Sequence, residues 1–271
     1  MSTQGTLSAT IEQSLHEGRL EQTLAQLQDQ VRANPAEPGL RVFLFQLLCV
    51  LGQWERALTQ LQVLAGLDAN CMMLAHIFQP VIHCEVFRAE VFRGKRTPLV
   101  FGEPLEWIGS LIQANELAAK GQPQAALQLR DKAFEAAEAT PGKVNEQAFE
   151  WIADADQRLG PMLEVILEGR YYWVPFRRIK RLYMERPSDL RDLVWMPAQF
   201  VWANGGEASG HIPSRYPATE SQTDDALRLG RKTDWRELTE GYSIGLGQRI
   251  LTTDSAEYPL LECRTIDLLP A

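Results

Sequence analysis

The chain has 271 residues, 45% hydrophobic and 23% charged, enough apolar material for one large core or two modest ones, which excludes a disordered or collagen-like protein. With 27 Lys and Arg against 35 Asp and Glu the net charge is −8, the wrong sign for a protein that gains affinity by neutralising phosphates, so no nucleic-acid partner is expected. The four cysteines, Cys49, Cys71, Cys84 and Cys263, contain no CxxC pair and predict reduced thiols in a cytoplasmic protein.

Met1 to Thr10 carries neither the basic nor the apolar region of a secretion signal, and export is not expected. The most apolar stretch, Val42 to Leu51, is about half the ~20 residues needed to cross a bilayer, so no membrane span is predicted. Gly18-Arg-Leu-Glu-Gln-Thr-Leu24 recurs 34 residues later as Gly52-Gln-Trp-Glu-Arg-Ala-Leu58, the tetratricopeptide period, and returns 69 residues further on as Gly121-Gln-Pro-Gln-Ala-Ala-Leu127. In each phrase Gly makes the turn between antiparallel helices and a small residue, Ala57 or Ala126, allows them to pack closely. Leu24, Leu27 and Val31, then Leu58, Leu61 and Leu64, give each second helix one apolar stripe that must stack on a neighbour. Met72 to Phe92 reads as helix but contains Pro80, which is expected to kink it or start it afresh. Gly102 to Trp107 reads as another helix start, with Pro104 at its first position.

After Thr140-Pro-Gly-Lys143 the periodicity changes. Phe149, Trp151, Ala153 and Ala155 alternate with Glu150, Asp154 and Asp156, which predicts one strand with the acids on its outer face. Gly160-Pro161 predicts a turn and Met162–Leu167 a return strand; further strands are expected at 171–174, 193–196, 200–202, 250–252 and 260–266. Pro175 is expected to open a short basic helix running to Glu185, with Phe176, Ile179, Leu182 and Tyr183 inward. The chain is therefore expected to be multidomain: a tetratricopeptide-like helical superhelix over residues 1–143, packed on a mixed α+β domain over residues 144–271.

Four sets of residues bear on chemistry. Cys71, His76, His83 and Cys84 are of zinc-ligand type, but their spacing matches no common site, and buried thiols and imidazoles are expected instead of a metal. Asp154 and Asp156, with Glu150 and Glu164 near, could form a hydrolytic carboxylate pair, against an ion-pair ladder with Arg158 on the strand surface. Gly245-Leu-Gly247-Gln-Arg249 lacks the third glycine and the Lys-Ser/Thr of a nucleotide loop, so no cofactor is expected. From Arg170 to Arg191 seven basic residues stand against Glu185 and Asp189, a local charge of +5 that could dock an acidic segment or line a solvated helix face.

Several phrases resemble one family. They are Leu44 to Val50 with Gly52 and Trp54, Phe101-Gly-Glu-Pro104 with Trp107, Ala153-Asp-Ala-Asp-Gln-Arg-Leu-Gly-Pro161, Gly169-Arg-Tyr-Tyr-Trp-Val-Pro-Phe176, Asp189 to Leu193, Asn204-Gly-Gly-Glu207, Arg215-Tyr-Pro217 and Gly245 to Arg249. In this order and spacing they are similar to the ImpE/TagJ family of type VI secretion accessory proteins. The resemblance implies a non-enzymatic cytoplasmic adaptor that binds the N-terminal helix of the small sheath subunit TssB and is linked to the ClpV disaggregase. A helical superhelix suits such a role, because its concave surface can take the apolar face of a helix. The contact candidates are Arg41, Leu44, Phe45 and Leu48 in the second repeat, where core packing competes as an explanation for the three apolar residues. In the second domain they are Tyr171, Tyr172, Trp173, Arg177, Arg178 and Arg181. The alternatives are a hydrolase using Asp154 and Asp156, and a tetratricopeptide module for another client.

Overall fold

The computed structural model describes residues 7–103 and 105–269. Gly18, Gly52 and Gly121 hold φ of +75°, +67° and +75°, values that cost a side chain strain, and each reverses the chain between two helices. The helices so joined are α1 (Ala9–His16), α2 (Leu20–Ala33), α3 (Pro38–Val50), α4 (Trp54–Leu67), α5 (Ala69–Phe92), α6 (Glu106–Ala119) and α7 (Pro123–Ala136), each packed on the next in chain order. Leu20, Leu27, Ala57, Leu61, Leu64 and Ala126 are buried where the repeated phrases place them. Pro104 and residues 1–6 lie outside the described residues. No helix among the described residues is long and apolar enough to cross a membrane.

The strands are β1 (Leu99–Val100), β2 (Gly142–Val144), β3 (Gln147–Phe149), β4 (Ile152–Asp154), β5 (Met162–Leu167), β6 (Arg170–Pro175), β7 (Ile179–Met184), β8 (Trp195–Trp202), β9 (Glu207–Pro213), β10 (Thr233–Thr239), β11 (Tyr242–Gly247), β12 (Ile250–Thr253), β13 (Glu257–Pro259) and β14 (Thr265–Leu268). A one-turn helix, α8 (Asp225–Arg228), precedes β10. Nine strands form one sheet in the order β1-β6-β5-β9-β8-β7-β14-β2-β3, antiparallel except at β1–β6; β13-β12-β4 form a second sheet and β10–β11 a ribbon. One face of the large sheet sends Met162, Ile166, Tyr171, Trp173 and Trp195 into a core shared with Leu48, Ile82 and Leu111 of the helices. The other face packs Leu163, Val165, Val174, Leu182, Phe200 and Ile212 against Phe149, Ile152, Leu251 and Leu260. The core is thus continuous across residue 143, and β1, from the helical part of the chain, extends the large sheet at one edge.

Five expectations are corrected. The basic helix after Pro175 is a short 3-10 turn (Phe176–Arg178) followed by β7, and Tyr183 points to solvent. A register shift between Ile179 and Arg181 displaces the alternation by one, so the buried positions 176, 179 and 182 mimic helical spacing. The strand over 149–155 is two strands in different sheets; Phe149 is buried and Glu150 exposed as expected, but from Trp151 the burial phase is inverted, with Trp151 exposed and Asp154 and Asp156 inside. α5 continues as one helix through Pro80, so the chain does not start afresh there. The segments 193–196 and 200–202 belong largely to one strand, β8, and 260–266 divides into a 3-10 turn and β14. The four cysteines are buried and unbridged, but His76 and His83 are exposed.

Gly245 has no room for a side chain, since a Cβ there would lie 2.2 Å from the ring of Tyr216. Gly245→Ala is expected to lose about 2 kcal/mol of stability by overpacking, read as a lower urea midpoint at unchanged slope.

Candidate functional site

The residues flagged for acid/base chemistry converge on a charge cluster between the helices and the sheets. Arg249, in the turn from β11 to β12, reaches Asp154 of β4 with Nη1 and Glu164 of β5 with Nη2, and donates from Nε to the Pro213 carbonyl at 2.8 Å. Arg88 of α5 approaches Glu164 from the opposite side, with Nε to Oε1 at 2.6 Å and Nη2 to Oε2 at 2.9 Å, and holds Glu85 at 2.7 Å. Glu85 accepts from Trp195 Nε1 at 2.9 Å. Asp156 accepts from Arg158 Nε and from the Gly245 N–H, both at 2.9 Å, and the Tyr171 hydroxyl donates to Glu164. Asp154, Asp156 and Glu164 are 2%, 0% and 0% exposed. This is the arrangement of a structural clamp; a hydrolytic pair must meet water.

Burial opposes the ionisation of Glu164 and Asp154, and the balance differs between the two. At Glu164 burial is overcome by Arg88 and Arg249, which hold its carboxyl down at about 2. At Asp154 burial prevails over Arg249 and, with Asp156 adjacent, pushes the carboxyl up to about 7. Burial also lowers His211 to about 4.

A second feature is open to solvent. Strands β9, β8 and β7 turn Ser209 and His211, Pro197 and Gln199, and Tyr183 to the same side of the sheet as the helices, and cross-strand pairing aligns them: Tyr183 with Gln199, Gln199 with Ser209, Pro197 with His211. The helices cover this side over β6 and β5 but leave it uncovered beyond, where Pro197, Gln199 and Ser209 are exposed and Tyr183 is 44% exposed. The resulting trough has a volume of about 1200 Å³ and is walled by α5 through His76, Ile77, Phe78 and Pro80. It continues over Arg181, Val201 and Glu207 in a shallower extension of about 440 Å³.

The ImpE protein family model matches residues 146–267. The type VI secretion system accessory component TagJ of Pseudomonas aeruginosa is 48% identical over 267 residues, covering 98% of this chain and 94% of the relative. The chain belongs to the ImpE/TagJ family. The crystal structure of a Vibrio parahaemolyticus protein, 27% identical, superposes with a TM-score of 0.88 over 97% of this chain and 98% of that one, so the same arrangement of helices and sheet occurs there.

Several phrases that resemble ImpE/TagJ build the clamp: Asp154 to Arg158, Tyr171 to Trp173, Arg215-Tyr216 and Gly245 to Arg249 all contribute to it or touch it. Arg215 passes from it to the Val50 carbonyl at the end of α3, at 2.9 Å.

The contact candidates do not share one surface. Leu44, Phe45 and Leu48 are core residues, and Phe45 lies 5.7 Å from the ring of Phe78. Arg41 is half-buried and donates to the Pro35 carbonyl at 3.1 Å and to Gln60 at 3.2 Å. Tyr171 and Trp173 are buried beneath the helices, and Tyr172 packs on Phe101 from the other face. The basic run is spread over several surroundings: Arg177 pairs with Glu138 at 2.9 Å, Arg178 lies against Gly102, and Arg181 pairs with Asp267. Of these candidates only Arg181 lines the trough. Tyr183, Pro197 and Gln199 were missed, although the alternation Ala198, Phe200, Trp202 against Pro197, Gln199, Val201 is the sequence signal of a strand with one open face. Among the described residues no group of three or more His, Cys, Asp or Glu side chains is placed to hold a metal ion.

Arg249→Leu leaves Asp154 and Glu164 without a shared cation and is expected to cost about 3–5 kcal/mol in urea unfolding. Because Glu164 is depressed from 4.5 to about 2, its contribution is complete above pH 4.5 and is lost as pH falls toward 2. The stability gap between the wild type and Glu164→Gln is therefore expected to close over that window, measured by unfolding at stepped pH.

Proposed function

We propose that this protein is a non-catalytic cytoplasmic adaptor of the type VI secretion system that binds the N-terminal helix of the small sheath subunit TssB and assists ClpV-linked handling of the sheath. The observation that carries this reading is the 48% identity to TagJ over 98% of the chain. The helical layer supports it. Its helices pack on one another in chain order, with glycine turns at Gly18, Gly52 and Gly121, and stacked helices of a tetratricopeptide-like superhelix, as we propose here, are scaffolds for peptide recognition. The clamp supports the non-catalytic part, since the carboxylates a hydrolase would need are withdrawn from solvent and engaged by guanidinia.

Calorimetric titration of the full chain with a synthetic peptide spanning the N-terminal helix of the small sheath subunit is expected to show saturable one-to-one binding. No heat of binding at about 1 mM peptide would sink the reading, because a physiological adaptor contact lies well below that dissociation constant.

A further inference from the structure

A sheet in a layered fold is covered by helices, and a helix is about 10 Å across, the width of roughly two strands. α5 lies over β6 and β5, where Tyr171 and Trp173 pack on Phe87 and Phe92. The next helix-sized place on the same face is over β9, β8, β7 and β14, three inter-strand intervals of about 4.8 Å, roughly 14 Å in all. Beyond Trp195 and His211, which Phe78 of α5 covers, the described helices leave this face open. Its floor sets Tyr183, Pro197 and the half-buried Val201 among the polar Gln199 and Ser209. On the wall Ile77, Phe78 and Pro80 line the trough beside His76 and Gln79, and Met73, one turn before Ile77 on α5, is exposed outside it. Exposed apolar side chains in and beside a concave trough mark an interaction site.

The rim selects the charge of the occupant. Glu168, Glu185 and Glu207 are exposed and lie outside every ion pair among the described residues. Of the trough's cations, Arg191 is engaged by Asp189 and stacks on Phe78, Arg181 is engaged by Asp267, and Arg186 stands exposed without an ion pair among the described residues. The free charge is therefore predominantly negative, and an occupant with cationic side chains beside its apolar stripe completes it.

We infer that this trough, on the sheet between α5 and β14, is where the partner helix docks, and that the helix it takes is amphipathic with a basic flank. The assignment rests on the adaptor reading. It places the contact at the helix–sheet junction, apart from the second repeat and, but for Arg181, from the second-domain residues to which the sequence points. Docking here adds the missing helix to the layer, a helix-in-groove contact anchored at apolar positions spaced three and four residues apart.

The test uses the same sheath-subunit peptide and the full-length chain. Gln199→Trp, which fills the trough, and the double variant Glu168→Lys/Glu185→Lys, which reverses its rim, are each expected to weaken binding by about tenfold or more. Arg32→Glu on the exposed surface of α2 is expected to leave affinity within about twofold, and the wild-type affinity is expected to fall as salt is raised. All four positions are exposed, so thermal unfolding of each variant should match the wild type and separate lost binding from lost fold. Wild-type binding that both trough variants retain overturns the assignment and leaves the adaptor reading standing. Absence of wild-type binding overturns both.

Discussion

Arg249 is the point at which three parts of the molecule meet. Its guanidinium joins the small sheet through Asp154 and the large sheet through Glu164, and Glu164 passes the connection to α5 through Arg88. Each of these ions forfeits several kcal/mol of hydration on burial, which the pairing largely repays, so the cluster adds little net stability. What it adds is position. A guanidinium with carboxylates on two of its edges tolerates one arrangement of its donors, and a displaced partner would leave a charge buried without a counterion. The apolar contacts around it, among them Trp195 with its ring 5.8 Å from Trp54 and 6.1 Å from Phe78, are non-directional and could accommodate some sliding of helices on sheet; the clamp cannot.

Fixing α5 on β5 and β6 also determines what is left open. A helix anchored there by Glu85 and Arg88 lies over one part of the sheet, and its N-terminal half, with His76, Ile77 and Pro80, becomes the wall of the trough over the next strands. Gly169 allows this closeness: a Cβ on it would stand 2.7 Å from the Pro80 ring. The buried ions and the open trough are therefore parts of one arrangement. The first holds the helix layer at a set place, and the second is the sheet surface that this placement leaves exposed.

The helical layer was legible because its signal is local. Gly at a turn, a small residue one helix-turn on, and apolar residues at three- and four-residue spacing depend on nothing outside the segment, and Gly18, Gly52, Ala57 and Ala126 stand where that pattern places them. The sheet was legible only where strands are buried on both faces or bounded by turns, as at Met162–Leu167 after Gly160-Pro161. It failed at β7, where the shifted register converts a period of two into an apparent period of three. It failed again at Asp154, because a carboxylate reads as surface until its cation is known, and that cation, Arg249, lies 95 residues away in sequence; Asp156 has its cation nearby in Arg158, but the Gly245 N–H that it also binds lies 89 residues on. The trough residues carry only one local signal, the alternation along β8, which marks an open strand face but not a trough. Tyr183, Pro197 and Gln199 are unremarkable in isolation and form a surface only through pairing between β7 and β8 and between β8 and β9.

The split between these two features bears on what family resemblance conveys. The phrases Asp154 to Arg158, Arg215-Tyr216 and Gly245 to Arg249 meet in the clamp, where a changed residue would strand a buried charge. The surface able to meet a partner is built mostly from residues between those phrases, on α5 and on β7 to β9. There a substitution alters an exposed side chain and costs the fold little. Identity in the phrases thus reports that the scaffold is the same, with the helix layer held at the same place on the sheet. The chemistry of the partner is written in the trough, in the balance of mixed floor and acidic rim, and two members sharing every clamp residue can differ there without disturbing the fold that presents it.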